Sequence, residues 1–142
     1  MWFRVFGSRE TMLQPAALQQ VLVNLGLDLP LHVAGDDCGW TSVEIPLTPP
    51  LRIERYLSDE DDLRGELDSW AAAVESWRLD AAPLMQQIIA TRQLFTWQVP
   101  DNAAIEFYET LARHFASESA GVYQIDGLGF FAADGSLLVP EP

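Results

Sequence analysis

Lysine is missing from this chain of 142 residues, and arginine supplies all 8 basic side chains against 21 acidic ones. The formal net charge of −13 argues against binding to the phosphates of nucleic acids, because that binding needs clustered cations. Hydrophobic residues still make up 49% of the chain, which excludes a disordered polyanion. The length predicts one folded domain over residues 1–142.

Cysteine is almost as scarce, since Cys38 is the single one. One cysteine excludes an internal disulfide framework and a metal site built from cysteines alone. No stretch approaches the roughly 18 consecutive apolar residues of a membrane-spanning helix. The first residues also lack the charged and apolar regions of a signal peptide. Together these absences predict a cytoplasmic protein with no membrane partner.

Hydrophobic periodicity predicts both strands and helices. Alternation of apolar and polar residues marks strands at residues 2–6, 41–47, 51–57 and 92–99. Apolar stripes with helical spacing mark helices that begin at Pro15, Ser58 and Asp80, and a last one across residues 105–115. Asp126-Gly127 and Asp134-Gly135 are typical of hairpin turns between short strands.

This order of elements predicts an α+β fold. We expect one antiparallel or mixed sheet with the helices packed mainly on one face. The elements also divide into two halves that each read strand, helix, strand, strand, although the residues of the halves do not repeat at a fixed period.

An acidic run is the most prominent feature of the surface pattern. Residues 59–68 hold six acids and one arginine. Ser58 and Asp61 have the spacing of a capping box, which predicts a helix that starts at Ser58 with the acids at its positive end. Such a cluster can also steer a basic partner towards the surface. The predicted partner-binding residues are Asp59, Glu60, Asp61, Asp62 and Glu66, with Trp40, which follows a turn, as an exposed aromatic anchor.

A second set of charged residues lies on neighbouring predicted strands. Glu44, Arg52, Glu54 and Arg55 would form cross-strand ion pairs if they faced each other. The alternative is a ligand-binding pocket between the sheet and the helices, formed by Glu44, Glu54, Arg52 and Arg55, in which Glu44 or Glu54 binds a small molecule or acts as an acid or base. Both interpretations stay open at this point.

Two further motifs carry little chemistry. Residues 127–132 match Gly-x-Gly-x-x-Ala, but a strand follows where a dinucleotide site needs a helix, so a hairpin is favoured. His32, Asp36, Asp37 and Cys38 offer one histidine and one cysteine, which is fewer than a zinc site uses, and a polar turn is favoured. We therefore expect no metal and no cofactor.

The C-terminal part of the chain reads Gly121-Val122-Tyr123-Gln124-Ile125-Asp126-Gly127-Leu128-Gly129-Phe130. With the preceding residues from 51 onwards, it resembles a family of small bacterial proteins of unknown function that end in Gly-x-x-Gln-x-Asp-Gly-Glu-Gly-Phe. Leu128 stands where that family has glutamate. The resemblance covers about residues 51–137 and implies a bacterial α+β domain.

These features favour a non-enzymatic interaction domain, similar in size and charge to an adaptor or an immunity protein. The expected partner is another protein, with a basic surface as the best complement to the acids. A homo-oligomer is also compatible with the sequence.

Overall fold

The computed structural model describes residues 1–36, 39–60 and 62–142. Within these ranges it holds one sheet of eight strands and four helices. The strands are β1 Trp2–Gly7, β2 His32–Asp36, β3 Gly39–Ile45, β4 Leu51–Leu57, β5 Gln93–Gln98, β6 Val122–Ile125, β7 Gly129–Ala132 and β8 Leu137–Pro140. The helices are α1 Pro15–Asn24, α2 Leu63–Trp77, α3 Ala82–Ile89 and α4 Glu106–Glu118.

The strands follow the order β2-β3-β4-β5-β1-β6-β7-β8, and every neighbouring pair is antiparallel. The predicted α+β class with a single sheet is therefore confirmed, and of the two expected sheet types, antiparallel or mixed, the structure has the antiparallel one. The two predicted halves do not form separate units, because β1 from the first half lies between β5 and β6 from the second. The motif at residues 127–132 forms the turn and second strand of the β6–β7 hairpin, as the turn chemistry predicted.

The helices cover both faces of the sheet, whereas the sequence led us to expect them mainly on one. We call the face packed against α1 and α4 the first face, and the face packed against α2 and α3 the second face. The reason lies in the central strands, which are apolar on both sides. In β1, Phe3 and Val5 point to the first face and Phe6 to the second, and in β5 Phe95 and Leu94 divide in the same way.

Trp40 belongs to the core of the first face and is only 5% exposed. Ala34 pairs with Ser42 and Gly35 with Trp40, so Thr41 is an extra residue that forms a β-bulge. The bulge turns Trp40 to the same face as Val43, where its indole N–H donates to the carbonyl oxygen of Leu13 over 2.6 Å. The prediction that Trp40 is an exposed partner anchor is therefore wrong.

Two buried tryptophans allow a matched test of this hydrogen bond. Trp97 is as buried as Trp40, but its indole N–H has no partner among the described residues. Trp40→Phe removes an existing hydrogen bond and leaves the carbonyl oxygen of Leu13 without its donor, whereas Trp97→Phe removes an indole N–H that has no acceptor among the described residues. We expect Trp40→Phe to lower the free energy of unfolding by about 1–2 kcal/mol more than Trp97→Phe, as measured by urea unfolding. Equal losses would show that this bond adds nothing to stability.

The second predicted helix begins later than expected. Residues 58–60 lie in a turn, α2 starts at Leu63, and no side chain caps its N-terminus. Asp62 stands at the N-cap position with φ of 71°, and Asp61 of the expected capping box lies outside the described residues. The backbone N–H of Leu57 instead donates to Glu60 Oε1, which stabilises the turn. Within the described ranges, none of the helices has the length and apolar character needed to cross a bilayer.

Candidate functional site

Part of the second face is left uncovered by α2 and α3. Their core reaches Tyr56 on β4 and Leu94 on β5, but it includes no residue of β3. The polar side chains of β3, β4 and β5 that lie outside this core point to the same face of the sheet as the indole of Trp2, because the strands pair in register. We call this surface the open patch; it consists of Trp2, Ser42, Glu44, Arg52, Glu54, Thr96 and Gln98.

Glu54 lies at the middle of the open patch. Its Oε1 accepts a hydrogen bond from Arg52 Nε over 3.0 Å, and its Oε2 accepts one from the hydroxyl of Tyr56. The side chains of Glu54 and Arg52 are 39% and 62% exposed, so both are in contact with solvent. The hydrogen bond to Glu54 and partial burial raise the pKa of Tyr56 to about 12, which keeps this phenol protonated.

Three contiguous clefts lie around Glu54, which lines all of them. The largest has a volume of about 430 Å³, and the other two have volumes of about 220 Å³ each. Glu60 lines one of the smaller clefts and Glu66 the other. Two sets of acids that the sequence left separate, the strand carboxylates and the acidic run, therefore adjoin each other at this surface.

The acidic run itself is exposed. Asp59 and Glu60 lie in the turn after β4, Asp62 precedes α2, and Glu66 is in the first turn of α2, where the helix dipole favours an acid. Asp61 was predicted to bind the partner with them and lies outside the described residues. Whether this run binds a partner stays a prediction.

The four charged strand residues divide between the two faces. Glu44 is the register partner of Arg52, and Glu54 is that of Ser42, so these side chains share the open patch. Arg55 points to the first face, where it is buried and donates to Gln93 Oε1 and to the carbonyl oxygen of Trp40. Residues 54 and 55 lie on opposite sides of a strand, yet Arg55 also lines one of the two smaller clefts with Glu54, so its part in ligand binding stays a prediction.

Arg4 forms a network next to the open patch that sequence reasoning missed. One terminal nitrogen, Nη1, donates to Gln124 Oε1 and to Asp126 Oδ1, both over 2.7 Å. Its guanidinium carbon lies 4.8 Å from the ring centre of Trp70 and 5.8 Å from that of Trp2. The other carboxylate oxygen of Asp126 accepts the backbone N–H of Trp2 over 2.9 Å. The network thus holds Trp2 at the border of the open patch.

The C-terminal run of residues 121–130 supplies part of this network. Gln124 is fully buried and Asp126 is paired with Arg4, while the N–H of Gly127 donates to Glu141 Oε2. Gly129 has φ of +129°, and Phe130 packs in the core of the second face. These residues therefore have structural roles in this chain, and Leu128 lies 43% exposed in the hairpin turn.

Asp126 gives this network a pH dependence. Burial tends to raise its pKa, but hydrogen bonds from Arg4, the Trp2 backbone and Gln124 outweigh burial and hold the pKa below the usual value of the carboxyl. A lowered pKa in the folded state adds stability above the ordinary pKa of about 3.9 and loses it as the pH falls through the folded value.

We therefore expect Asp126→Asn to destabilise the protein at neutral pH and to do so less in acid. Urea unfolding of the wild type and the variant at about pH 7 and about pH 3 measures the difference in their free energies of unfolding. The other carboxylates affect both proteins alike, so their contribution cancels in this difference. A difference that stays constant or widens on acidification would contradict the assigned role of Asp126.

Among residues 1–36, 39–60 and 62–142, no group of three or more histidine, cysteine and acidic side chains is close enough to hold a metal ion. The candidate cluster at the β2–β3 turn includes Asp37 and Cys38, which lie outside the described residues. His32 and Asp36 of that cluster are exposed at the edge strand β2.

Sequence reasoning missed Arg4 and Gln124 because their contacts join residues about 120 positions apart. One local signal was present: the alternation in β1 places Trp2 and Arg4 on the same side as Phe6. No protein-family model, no curated protein and no solved structure matches this chain.

Proposed function

We propose that this protein is a non-enzymatic binding domain that receives a basic segment of another protein on the open patch and the adjoining acidic turn. The observation that carries the proposal is the position of Glu54, which lines three contiguous clefts bordered by Glu60 and Glu66. A segment that crossed these clefts would pass the carboxylates of Glu54, Glu60 and Glu66 and the exposed guanidinium of Arg52.

The charges around the open patch support a cationic partner. Glu44, Glu54, Glu60 and Glu66 contribute carboxylates around the open patch, and the side chains that line the three clefts also include the guanidinium groups of Arg4, Arg52 and Arg55. Arg55 is buried, and Arg52 is largely exposed and paired with Glu54. The guanidinium of Arg4 is held by Asp126 and two indole rings, so it does not neutralise Glu54. Complementary charge of this kind speeds association and selects partners.

The residues of the largest cleft favour binding over catalysis. Of the described residues that line it, none is a histidine, cysteine or serine. The neighbouring phenol of Tyr56 has its pKa raised to about 12, so it stays protonated near neutral pH and is not available as a base. The volume of about 430 Å³ does fall in the range of small-molecule sites, and this keeps a small ligand of Glu54 as the second candidate.

A labelled peptide of alternating arginine and alanine tests the proposal against a peptide with glutamate in place of arginine. We expect fluorescence anisotropy to detect binding of the basic peptide alone, weakened about tenfold or more when NaCl rises from about 50 to about 300 mM. The double variant Glu44→Gln, Glu66→Gln should bind several-fold more weakly. The matched control Glu75→Gln, Glu118→Gln removes the same charge elsewhere and should bind like the wild type.

Equal weakening by both double variants would show that only the net charge matters and would overturn the proposed site. Failure of the basic peptide to bind at all would overturn the proposed function. In that case a thermal shift with a metabolite, lost in Glu54→Gln, would favour the second candidate instead.

A further inference from the structure

We infer that the largest cleft of the open patch receives a single arginine side chain of the bound segment, with its guanidinium between the indole of Trp2 and the carboxylate of Glu54. This inference rests on the proposed function and adds the residue type that the site selects. Three features of the cleft lead to it: its apolar lining residues, the carboxylate of Glu54, and the way the neighbouring network already holds an arginine.

The apolar residues that line the cleft suit a long aliphatic stem. Pro49, Pro50 and Pro100 line it next to the start of β4 and the end of β5. The indole of Trp2, which is 39% exposed, completes the apolar lining. A side chain with several methylene groups buries them here while its charged end reaches the carboxylate of Glu54.

The charged side chains that line the cleft are Glu54 and Arg52, which are paired with each other. Glu54 is the acidic residue among the lining side chains, with Thr96 and Gln98 as neutral hydrogen-bonding neighbours on β5. Arg52 pairs with Glu54 Oε1, but its side chain is largely exposed and can swing aside into solvent. An exposed pair of this kind contributes little, so an incoming cation can replace or join Arg52 at low cost.

The neighbouring network shows how this surface holds an arginine. Arg4 is bound by a carboxylate, Asp126, while its guanidinium lies against the indoles of Trp70 and Trp2. The cleft offers the same two groups, with Glu54 in place of Asp126 and Trp2 shared between the two sites. A planar guanidinium stacks on an indole and donates to a carboxylate at the same time, which the compact ammonium of lysine does less well.

Short peptides separate arginine from other side chains. The probes are an acetylated alanine peptide with one central arginine and its counterparts with lysine and with the uncharged citrulline. We expect the arginine peptide to shift the NMR signal of the Trp2 indole N–H, with lysine binding about threefold and citrulline about tenfold more weakly. The Trp2 signal is assigned by its loss in Trp2→Leu.

Protein variants then locate the side chain. Trp2→Leu and Glu54→Gln should each weaken binding of the arginine peptide about fivefold or more, whereas the surface control Glu118→Gln should leave it unchanged. The citrulline peptide should bind Glu54→Gln and the wild type alike, because it lacks the charge that Glu54 recognises. This comparison does not depend on equal stability of the variants.

The outcomes distinguish this inference from the function on which it rests. If the alternating peptide binds the open patch but the Trp2 signal and Glu54→Gln are unaffected, the arginine cleft is overturned and the proposed function stands. Equal binding of lysine or citrulline overturns the selectivity for arginine. If neither the alternating peptide nor the single-arginine peptide binds, the proposed function falls and the inference falls with it.

Discussion

Replacement of Gly129 by alanine is expected to lower the free energy of unfolding by about 3 kcal/mol or more. Its φ of +129° lies in a region that side chains rarely adopt. An added Cβ would also lie 2.2 Å from the carbonyl oxygen of Val139 and 2.8 Å from the Cα of Pro140. Both contacts are with the backbone of β8, which pairs with β7 here, so relief requires that β8 moves away from the sheet.

Gly127 in the same hairpin provides the matched control. It also has a positive φ, of +78°, but no heavy atom lies within 4 Å of an added Cβ. Gly127→Ala should therefore lower the free energy of unfolding only by the cost of a left-handed backbone conformation, about 1–2 kcal/mol. Urea unfolding followed by tryptophan fluorescence measures both variants. Equal losses would contradict the close approach of β8 to Gly129.

Arg4→Met is the second substitution with a large expected effect, a loss of about 2–4 kcal/mol in the free energy of unfolding. Methionine keeps most of the stem but removes the donors to Gln124 and Asp126 and the charge that lies over Trp70. Gln124 is fully buried, so its side-chain carbonyl oxygen would lose the hydrogen bond from Arg4 and could not replace it with one from water.

Arg52→Met is the control for Arg4→Met, since it removes the same charge from the same face of the sheet. Its ion pair with Glu54 is exposed, and we expect a change within about 0.5 kcal/mol. Urea unfolding of the two variants in the same buffer gives the comparison. A loss for Arg4→Met no larger than that for Arg52→Met would refute the central role of the Arg4 network.

The structure confirms those parts of the fold that depend on local pattern. Alternation alone identified β1, β4 and β5, and the Asp-Gly turns identified the C-terminal hairpins, because side-chain period and turn chemistry act over a few residues. Helix coverage of both faces was not predicted. The apolar residues on both sides of β1 and β5 indicate this coverage, since a strand with two apolar faces must be covered on both of them.

Two errors have different physical origins. The orientation of Trp40 depends on one bulge residue, Thr41, which shifts the alternation of β3 and which no pattern in the sequence marks. The late start of α2 comes from a turn at residues 58–60 that competes with helix for the same polar residues. A capping pattern read without that competition places the helix start too early.

The candidate site was partly predictable. The strand pattern brought Glu44, Arg52 and Glu54 to neighbouring strands, and their register confirms a shared face. The same alternation already separates Arg55 from Glu54, because adjacent residues of a strand point to opposite faces. The approach of Glu66 and Trp2 to Glu54 depends on tertiary packing, and no local signal reports it.

A backbone NMR titration tests the proposed binding surface most directly. Isotope-labelled protein is titrated with the unlabelled peptide of alternating arginine and alanine at low salt. The proposed function predicts that amide shifts concentrate on β3, β4, β5, Trp2 and the first turn of α2. Shifts confined to α1 and α4 on the first face, or spread evenly over all exposed acids, would contradict it.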